Sequence, residues 1–404
     1  MKSLTWSRGA VLAELREDIW RYLTQAATDE DHLVLHAAAL LQMRVTEVRI
    51  LAELQFVLSD TVRRFLEQVP SMMRRLATTT AAEIELSAER IRGPIRWGET
   101  FAHRAASGGA PMYITAPSRR AFDTAENRVL AAALQAIVDI GRRTGWHHGT
   151  TEGPSVLVRR RVDEAARWLQ ARPLMDVSRS VPAPTVVQRV RLGRHSPRYA
   201  AAVDVLELRQ RYIARLDRHA IRQAVERHAL LVRRDSVLFE LQATLGVIAA
   251  LREMGWVTPP DGLLRPPRVF RGRRDGAEVD VWFQHTPHQL SSGSRYRRIQ
   301  HVHGFAAAGA MLPDLVLRRK DADGVKWLLI EVKMGTVRGV EESARAAVRD
   351  LLAYRRAFGP VLTSQPGPYG LGVAWGAEMT PSADGDVVLC TPDTLSSALA
   401  LVVG

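Results

Sequence analysis

Cysteine is almost absent from this chain. One residue in 404, Cys390, excludes an internal disulfide framework and any cluster of zinc-bound thiolates within one chain. Its place in the apolar run DVVLC marks it as a small buried side chain. Long hydrophobic runs are missing too. No stretch approaches the ~20 residues of a membrane helix, and the opening MKSLTWSRGAVLAEL meets Arg8 and Glu14 before a secretory core could form. A cytoplasmic protein without a membrane partner is expected. There is no internal repeat and no low-complexity segment. No Walker A sequence occurs, so nucleotide hydrolysis through a P-loop is excluded and any motor must be a separate chain. The histidine pairs His32/His36 and His285/His288 have no third ligand nearby, which argues against zinc. Lysine is the last scarcity: only Lys2, Lys320, Lys326 and Lys333 among 56 basic residues, with arginine at every other basic position.

What is present describes a globular protein, with 46% hydrophobic and 25% charged residues, and the length predicts two or three units with ordinary cores. The net charge of +13 calls for a polyanionic partner. It is uneven: Thr151 to Asp235 holds 18 arginines against 9 acidic residues. Nucleic acid is the expected partner, against the blander reading of a solvated basic face.

Along the chain, residues 1 to about 85 read as helices, with apolar positions recurring at three and four. Short strand-like pieces (RIRGPIRW, PMYIT) follow. A second helical region opens at AFDTAENRVLAAAL, where Asp123 and Glu126 have capping-box spacing. Pro182, Pro184, Gly193 and Pro197 mark loops before a helical stretch from about Tyr199 to His228. From Leu230 the pattern changes to a long helix ending at Gly255, strand-like runs at EVDVWFQ, LPDLVLR and VKWLLIEVK, a helix over about Glu341 to Phe358, and strands GLGVAW and DVVLC. That order predicts an α/β domain with a central mixed sheet flanked by helices. The expected divisions are 1–115, mainly helical with short strands at its end; 116–229, a basic helical middle; and 230–404, the α/β domain.

Within KWLLIEVKM, strand alternation puts Glu331 and Lys333 on one face and Ile330 and Val332 on the other. The preceding Asp-Ala-Asp-Gly is a turn signal, so 312 to 333 reads as a β-hairpin. A turn centred between Ala322 and Asp323 places Asp314 opposite Glu331, with Cβ atoms roughly 5 Å apart. Two carboxylates so placed can share a divalent cation. Mg²⁺ keeps several waters and needs little more than these, a backbone carbonyl such as that of Val332, and a substrate phosphate. Lys333 beside them can steer or activate water as a compact charge with a movable pKa, which guanidinium lacks. An arginine-rich chain thus retains lysine where arginine cannot replace it. The blander reading is a salt-bridge ladder on an exposed strand, which the apolar LLI before Glu331 disfavours.

Pro313-Asp314 followed by Glu331-Val332-Lys333 resembles the PD-(D/E)xK nuclease signature. With AFDTAENRVLAAAL, RIRGPIRWGET, LFELQATLGVIAALREMG, VDVWFQ and AVRDLLAYRRAF, the chain from roughly Arg90 onward is similar to the bacterial nuclease family that includes McrC, the cleavage subunit of modification-dependent McrBC restriction. The first 85 residues carry no such resemblance. The likeness implies a restriction-endonuclease-like domain, Mg²⁺ (with Mn²⁺ substituting) as cofactor, DNA as substrate, a role in restriction or antiviral defence, and a separate AAA+ motor. It also implies a carboxylate from the first helix of the nuclease fold, here Glu240. Arg233 or Arg234 could equally pair with that glutamate.

Two elements are candidates for holding DNA. A long loop between Gln284 and Met311 interleaves Arg295, Arg297 and Arg298 with Tyr296, which suits phosphate contact and base stacking. On the helix after Lys333, Arg345, Arg349 and Arg356 share one face and Ala344, Val348, Leu351 and Phe358 another. The expected activity is Mg²⁺-dependent endonucleolytic hydrolysis, with a homodimer expected if both strands are cut. Two other readings stand beside it: a catalytically inactive DNA-binding or assembly protein that keeps the nuclease fold, and an RNA-directed nuclease.

Overall fold

A computed structural model of the chain describes residues 6–88, 91–108, 112–145, 154–230, 234–259, 264–304, 311–335, 340–365, 367–375, 379–382 and 385–404. Helices α1 (Arg8–Ala26), α2 (Glu30–Leu40), α3 (Val45–Leu58) and α4 (Asp60–Met73) open it. Side chains of Ser7, Asp29 and Ser59 cap α1, α2 and α4 by accepting backbone N–H groups of the first turn. Strands β1 (Thr79–Ala82) and β2 (Glu85–Ser87), helix α5 (Trp97–Ala106), and strands β3 (Tyr113–Thr115) and β4 (Ser118–Ala121) follow. β1 pairs with β4 and β2 with β3, both antiparallel. Among the described residues of the expected strand RIRGPIRW, only Ile95 forms a bridge, to Thr115.

Helices α6 (Ala125–Arg143), α7 (Pro154–Gln170), α8 (Pro184–Leu192) and α9 (Ser196–Arg209) come next. Thr124 caps α6, whereas the sequence pointed to Asp123, which instead forms an ion pair with Arg128. Pro184 and Pro197 lie in first helical turns rather than loops, where the missing N–H costs nothing. The helix expected to reach His228 is interrupted. A π-helical turn spans Gln210–Arg215, Leu216 is left-handed at φ 49°, and α10 (Arg218–Ala224) and a second π turn complete it.

The remainder consists of α11 (Asp235–Glu253), β5 (Arg268–Arg274), β6 (Ala277–Phe283), α12 (His288–Ser291), α13 (Arg295–Val302), β7 (Leu315–Asp321), β8 (Gly324–Lys333), α14 (Val340–Phe358), α15 (Pro360–Thr363), β9 (Gly370–Ala374), β10 (Val387–Cys390) and α16 (Leu395–Val403). β5 was not expected. The described part of the expected loop 284–311 holds two short helices; residues 305–310 lie outside the described residues.

These elements divide into two compact units, 1–51 with 217–404, and 52–216. The division differs from breaks at 115 and 229, because helical periodicity does not disclose which partner a helix packs against. In unit 52–216, α6 packs against α7 and α9. Asn127 is fully buried there. Its amide donates to Ala77 O (2.8 Å) and Phe122 O (2.7 Å), and its oxygen accepts from Tyr199 Oη (2.7 Å).

The other unit is built on a six-stranded mixed sheet in the order β10-β9-β8-β7-β6-β5. β5 to β8 are antiparallel neighbours, while β8, β9 and β10 run parallel. The parallel step from β8 to β9 requires a crossover, which α14 supplies. On one sheet face Trp282, Val316, Trp327 and Leu329 pack with Leu290, Leu351, Tyr354 and Phe358. Leu328, Ile330 and Val332 alternate to the opposite face and are as deeply buried, which makes β8 a central strand. α14 lies close to β9 because Gly372 has no side chain; a Cβ there would fall 2.6 Å from Leu389 Cδ2 and 3.1 Å from Ala347 Cβ.

Candidate metal centre

The hairpin register is the expected one. Leu315 pairs with Ile330 and Asp321 with Gly324, so Asp314, immediately before β7, faces Glu331 on β8. Asp314 Oδ2 accepts the Val332 N–H at 2.7 Å and Oδ1 accepts Gln284 Nε2 at 2.9 Å. Glu331 is buried to 3% exposure. Its Oε1 accepts from Lys333 Nζ, while its Oε2 is buried with no hydrogen-bond partner. Lys333 Nζ also contacts Asp350 Oδ2 at 3.0 Å. Glu240 Oε2 accepts from Gln42 at 3.2 Å and from Gln284 at 3.3 Å. The described partners of Glu240 are therefore amides rather than arginines; Arg233 lies outside the described residues.

Four of the expected residues, Asp314, Glu331, Lys333 and Glu240, thus converge at one end of the sheet. Two more belong with them. Gln284 bridges Glu240 and Asp314 and donates its backbone N–H to Asp314 O at 2.9 Å, holding a left-handed φ of 47° to do so. Asp350 on α14 receives the lysine. Neither carried a motif, and only a known strand end and helix face could have pointed to them. Val332, expected to lend its carbonyl, is seen here through its N–H. Tyr354 donates to Leu312 O at 3.1 Å and packs in the core; burial, reinforced by the neighbouring Glu331, Asp314 and Asp350 carboxylates, holds its hydroxyl above its ordinary range.

Charge is out of balance at this site. Four carboxylates (Asp314, Glu331, Glu240, Asp350) surround one ammonium. Burial pushes Asp314 up to about 6, reinforced by Glu240. Burial likewise pushes Glu331 up to about 7, reinforced by Asp314. Glu240 is raised by burial as well. For Lys333, burial acts downward, but Glu331 and Asp350 outweigh it and hold the ammonium above its ordinary range. In this arrangement Lys333 is a fixed positive charge, which corrects the expectation of a readily movable pKa.

These groups fit a hard cation. Excess negative charge and an unpartnered buried carboxylate oxygen, which costs about 1–3 kcal/mol, are what such an ion relieves. Among the described residues no group of three or more His, Cys, Asp or Glu is placed to hold a metal ion together. The set is therefore Asp314 and Glu331 with remaining positions for water and substrate oxygen, as Mg²⁺ accepts. The buried Cys390 thiol is pushed up to about 12 by burial, consistent with a packing role.

Arg295, Arg297 and Arg298 are exposed on α13, which packs against α14. Arg345 forms an ion pair with Glu341 and Arg349 lies 3.7 Å from Asp350. Arg345, Arg349 and Arg356 are exposed on α14 while Ala344, Leu351 and Phe358 are buried, as expected. The three arginines line a groove of about 960 Å³ together with Ala344, Val348 and Leu352.

The chain is a mixed α/β protein organised on a six-stranded mixed sheet, and no helix among its described residues is long and apolar enough to cross a membrane. No protein-family profile and no curated protein matches it. Among solved structures it aligns with a chain of the "Refined half-complex from tetradecameric assembly of Thermococcus gammatolerans McrB AAA+ hexamers with bound McrC". The alignment covers 85% of this chain and 67% of the other, at 12% identity and a TM-score of 0.25. A score that low does not establish a common fold.

Proposed function

We propose that this protein is a Mg²⁺-dependent endonuclease of the PD-(D/E)xK type that hydrolyses DNA phosphodiester bonds. The observation that carries this reading is the convergence of Asp314, Glu331 and Lys333 at the end of adjacent central strands, with one carboxylate oxygen left buried and unpartnered. Asp314 and Glu331 would hold the ion, with the Val332 carbonyl as a further candidate ligand. When bound, Mg²⁺ supplies an acidified water and neutralises charge on the phosphodiester. Lys333 contributes a positive charge beside the attacked phosphate, held in place by Glu331 and Asp350. Gln284 fixes the rotamer of Asp314 and ties Glu240 to it. The exposed arginines of α13, with Arg345 and Arg349, are the proposed contacts to the DNA backbone.

The McrC-like sequence features extend the proposal to restriction or antiviral defence. They also extend it to cooperation with a separate AAA+ NTPase, which the missing P-loop requires if cleavage needs translocation. A homodimer would supply two active sites for double-strand cutting.

The test is plasmid cleavage with Mg²⁺ or Mn²⁺, with and without a candidate motor, alongside matched RNA. Asp314→Ala and Lys333→Ala are each expected to lose at least 10²-fold in rate. Undiminished cutting by both variants would remove the site assignment.

A further inference from the structure

A second charged cluster occupies the same sheet face, about 13 Å along β7 from Asp314 at ~3.3 Å per residue and beyond the apolar band of Trp282 and Val316. Its centre is Asp280, whose side chain is 1% exposed. Three guanidinium groups surround it: Arg271 Nε at 2.9 Å, Arg268 Nε at 3.2 Å and Arg318 Nη2 at 2.5 Å. Strand register explains the gathering. Arg271 on β5 pairs with Asp280 on β6, which pairs with Arg318 on β7. In the neighbouring row on the same face, Arg273 pairs with Glu278 and Glu278 with Lys320. A bulge between Arg268 and Phe270 turns Arg268 to this side too. Arg268 and Arg318 both stack on Trp282, at 5.5 and 5.6 Å from its ring centroid.

The accounts of charge and hydrogen bonding are both incomplete here. Five cations (Arg268, Arg271, Arg273, Arg318, Lys320) face two carboxylates. The Nε–H groups of Arg268 and Arg318 are buried and make no hydrogen bond. A purely structural clamp for β5 needs one arginine on Asp280, not three, two of which leave an Nε–H without a hydrogen bond, since each desolvated charge is costly unless paired. The cluster also opens onto the sheet edge, because β5 is the terminal strand, and Arg273 and Lys320 are exposed.

We propose that this edge of the sheet binds backbone phosphates of nucleic acid at a position separate from the metal centre. Guanidinium groups match phosphate oxygens as a bidentate fork. Arg273 and Lys320, exposed on strands two spacings or about 10 Å apart, extend the row and suit a linear polyanion better than a single small ion. The choice of nucleic acid over an acidic protein segment rests on the nuclease reading and on the chain's charge of +13.

The experiment uses the full chain and a fluorescent DNA duplex in EDTA, so that binding is read without cleavage, as salt rises from roughly 50 to 200 mM. The double variant Arg271→Gln/Lys320→Gln leaves Asp280 paired with Arg268 and Arg318, so the fold should persist. Its plot of log affinity against log salt should become shallower by roughly 0.9 per lost phosphate contact, about 1.8 in all. Arg271→Lys/Lys320→Arg should restore the slope. An unchanged slope, absence of DNA binding by the parent protein, or loss of polyglutamate binding with DNA binding intact would each overturn the assignment. Cleavage by Asp314→Ala is scored separately. If that variant cuts normally while the double variant loses slope, the metal-site assignment falls and this one stands; the reverse pattern separates them the other way.

Discussion

Lys333 is one of four lysines in a chain that otherwise uses arginine, and its surroundings give a physical reason. Its head lies between Glu331 and Asp350, where a compact ammonium meets both carboxylates as a point charge, unlike a planar five-donor fork. The carboxylates around it carry a measurable cost. Asp314 and Glu331 are raised above their unfolded values of 3.8 and 4.5 by burial, reinforced by the charge of Glu240 on the first and of Asp314 on the second. The folded protein therefore holds protons that the unfolded chain has already released. Metal-free stability is greatest below about pH 4 as far as these groups are concerned, and it declines as pH rises through about 6 to 7. Asp314→Asn should accordingly raise the melting temperature in EDTA at pH 8 by a few degrees and leave it unchanged at pH 4. A melt series across pH checks this, and a loss of stability at pH 8 would contradict it. Gln284 offers a second test, because its left-handed backbone favours glycine. Both Gln284→Gly and Gln284→Ala remove the bridge between Glu240 and Asp314. The glycine variant should nonetheless be about 1 kcal/mol the more stable in urea denaturation.

Among elements, the β7–β8 hairpin was the most legible. Asp-Ala-Asp-Gly fixed the turn, the turn fixed the register, and the register set Asp314 against Glu331. β6, β9, β10 and α14 were legible as well, because buried strands and amphipathic helices have distinct periods. β5 was not: RVFRGRR is mostly arginine with a bulge, so its alternation is hidden, although its arginines pair across the sheet with acidic partners. α13 has no buried residue and hence no apolar stripe to read. Thr124 escaped notice beside Asp123 because either residue type can cap a helix. Packing of α14 on β9 positions Asp350, and it depends on Gly372. Gly372→Ala should therefore cost about 1–3 kcal/mol through overpacking against Leu389 and Ala347. Chemical denaturation measures this, and a neutral substitution would show that Leu389 can move aside.

At the scale of the whole molecule, a cation that binds only the folded state should raise its stability. At one hundred times its dissociation constant, Mg²⁺ should add about 2.7 kcal/mol, read as a rise in melting temperature at pH 8. The rise should vanish in Asp314→Ala/Glu331→Ala, and its persistence there would put the ion elsewhere. The order of helical and strand-like runs foretold a mixed α/β protein, and the excess of arginine was plain. The grouping of helices was not legible, because α1 and α2 pack with elements encoded far later in the chain, α1 on α11 and α2 on α10, and an amphipathic stripe names no partner. That interleaving has a consequence during synthesis. The first 51 residues leave the ribosome well before the segment that completes their core. At 5–20 residues per second, residues 52–216 alone impose a wait of roughly 10–30 s. For that interval the nascent N-terminal helices present an unsheltered apolar surface, so the polypeptide is most vulnerable to chaperone capture or aggregation before its sheet-bearing half has been translated.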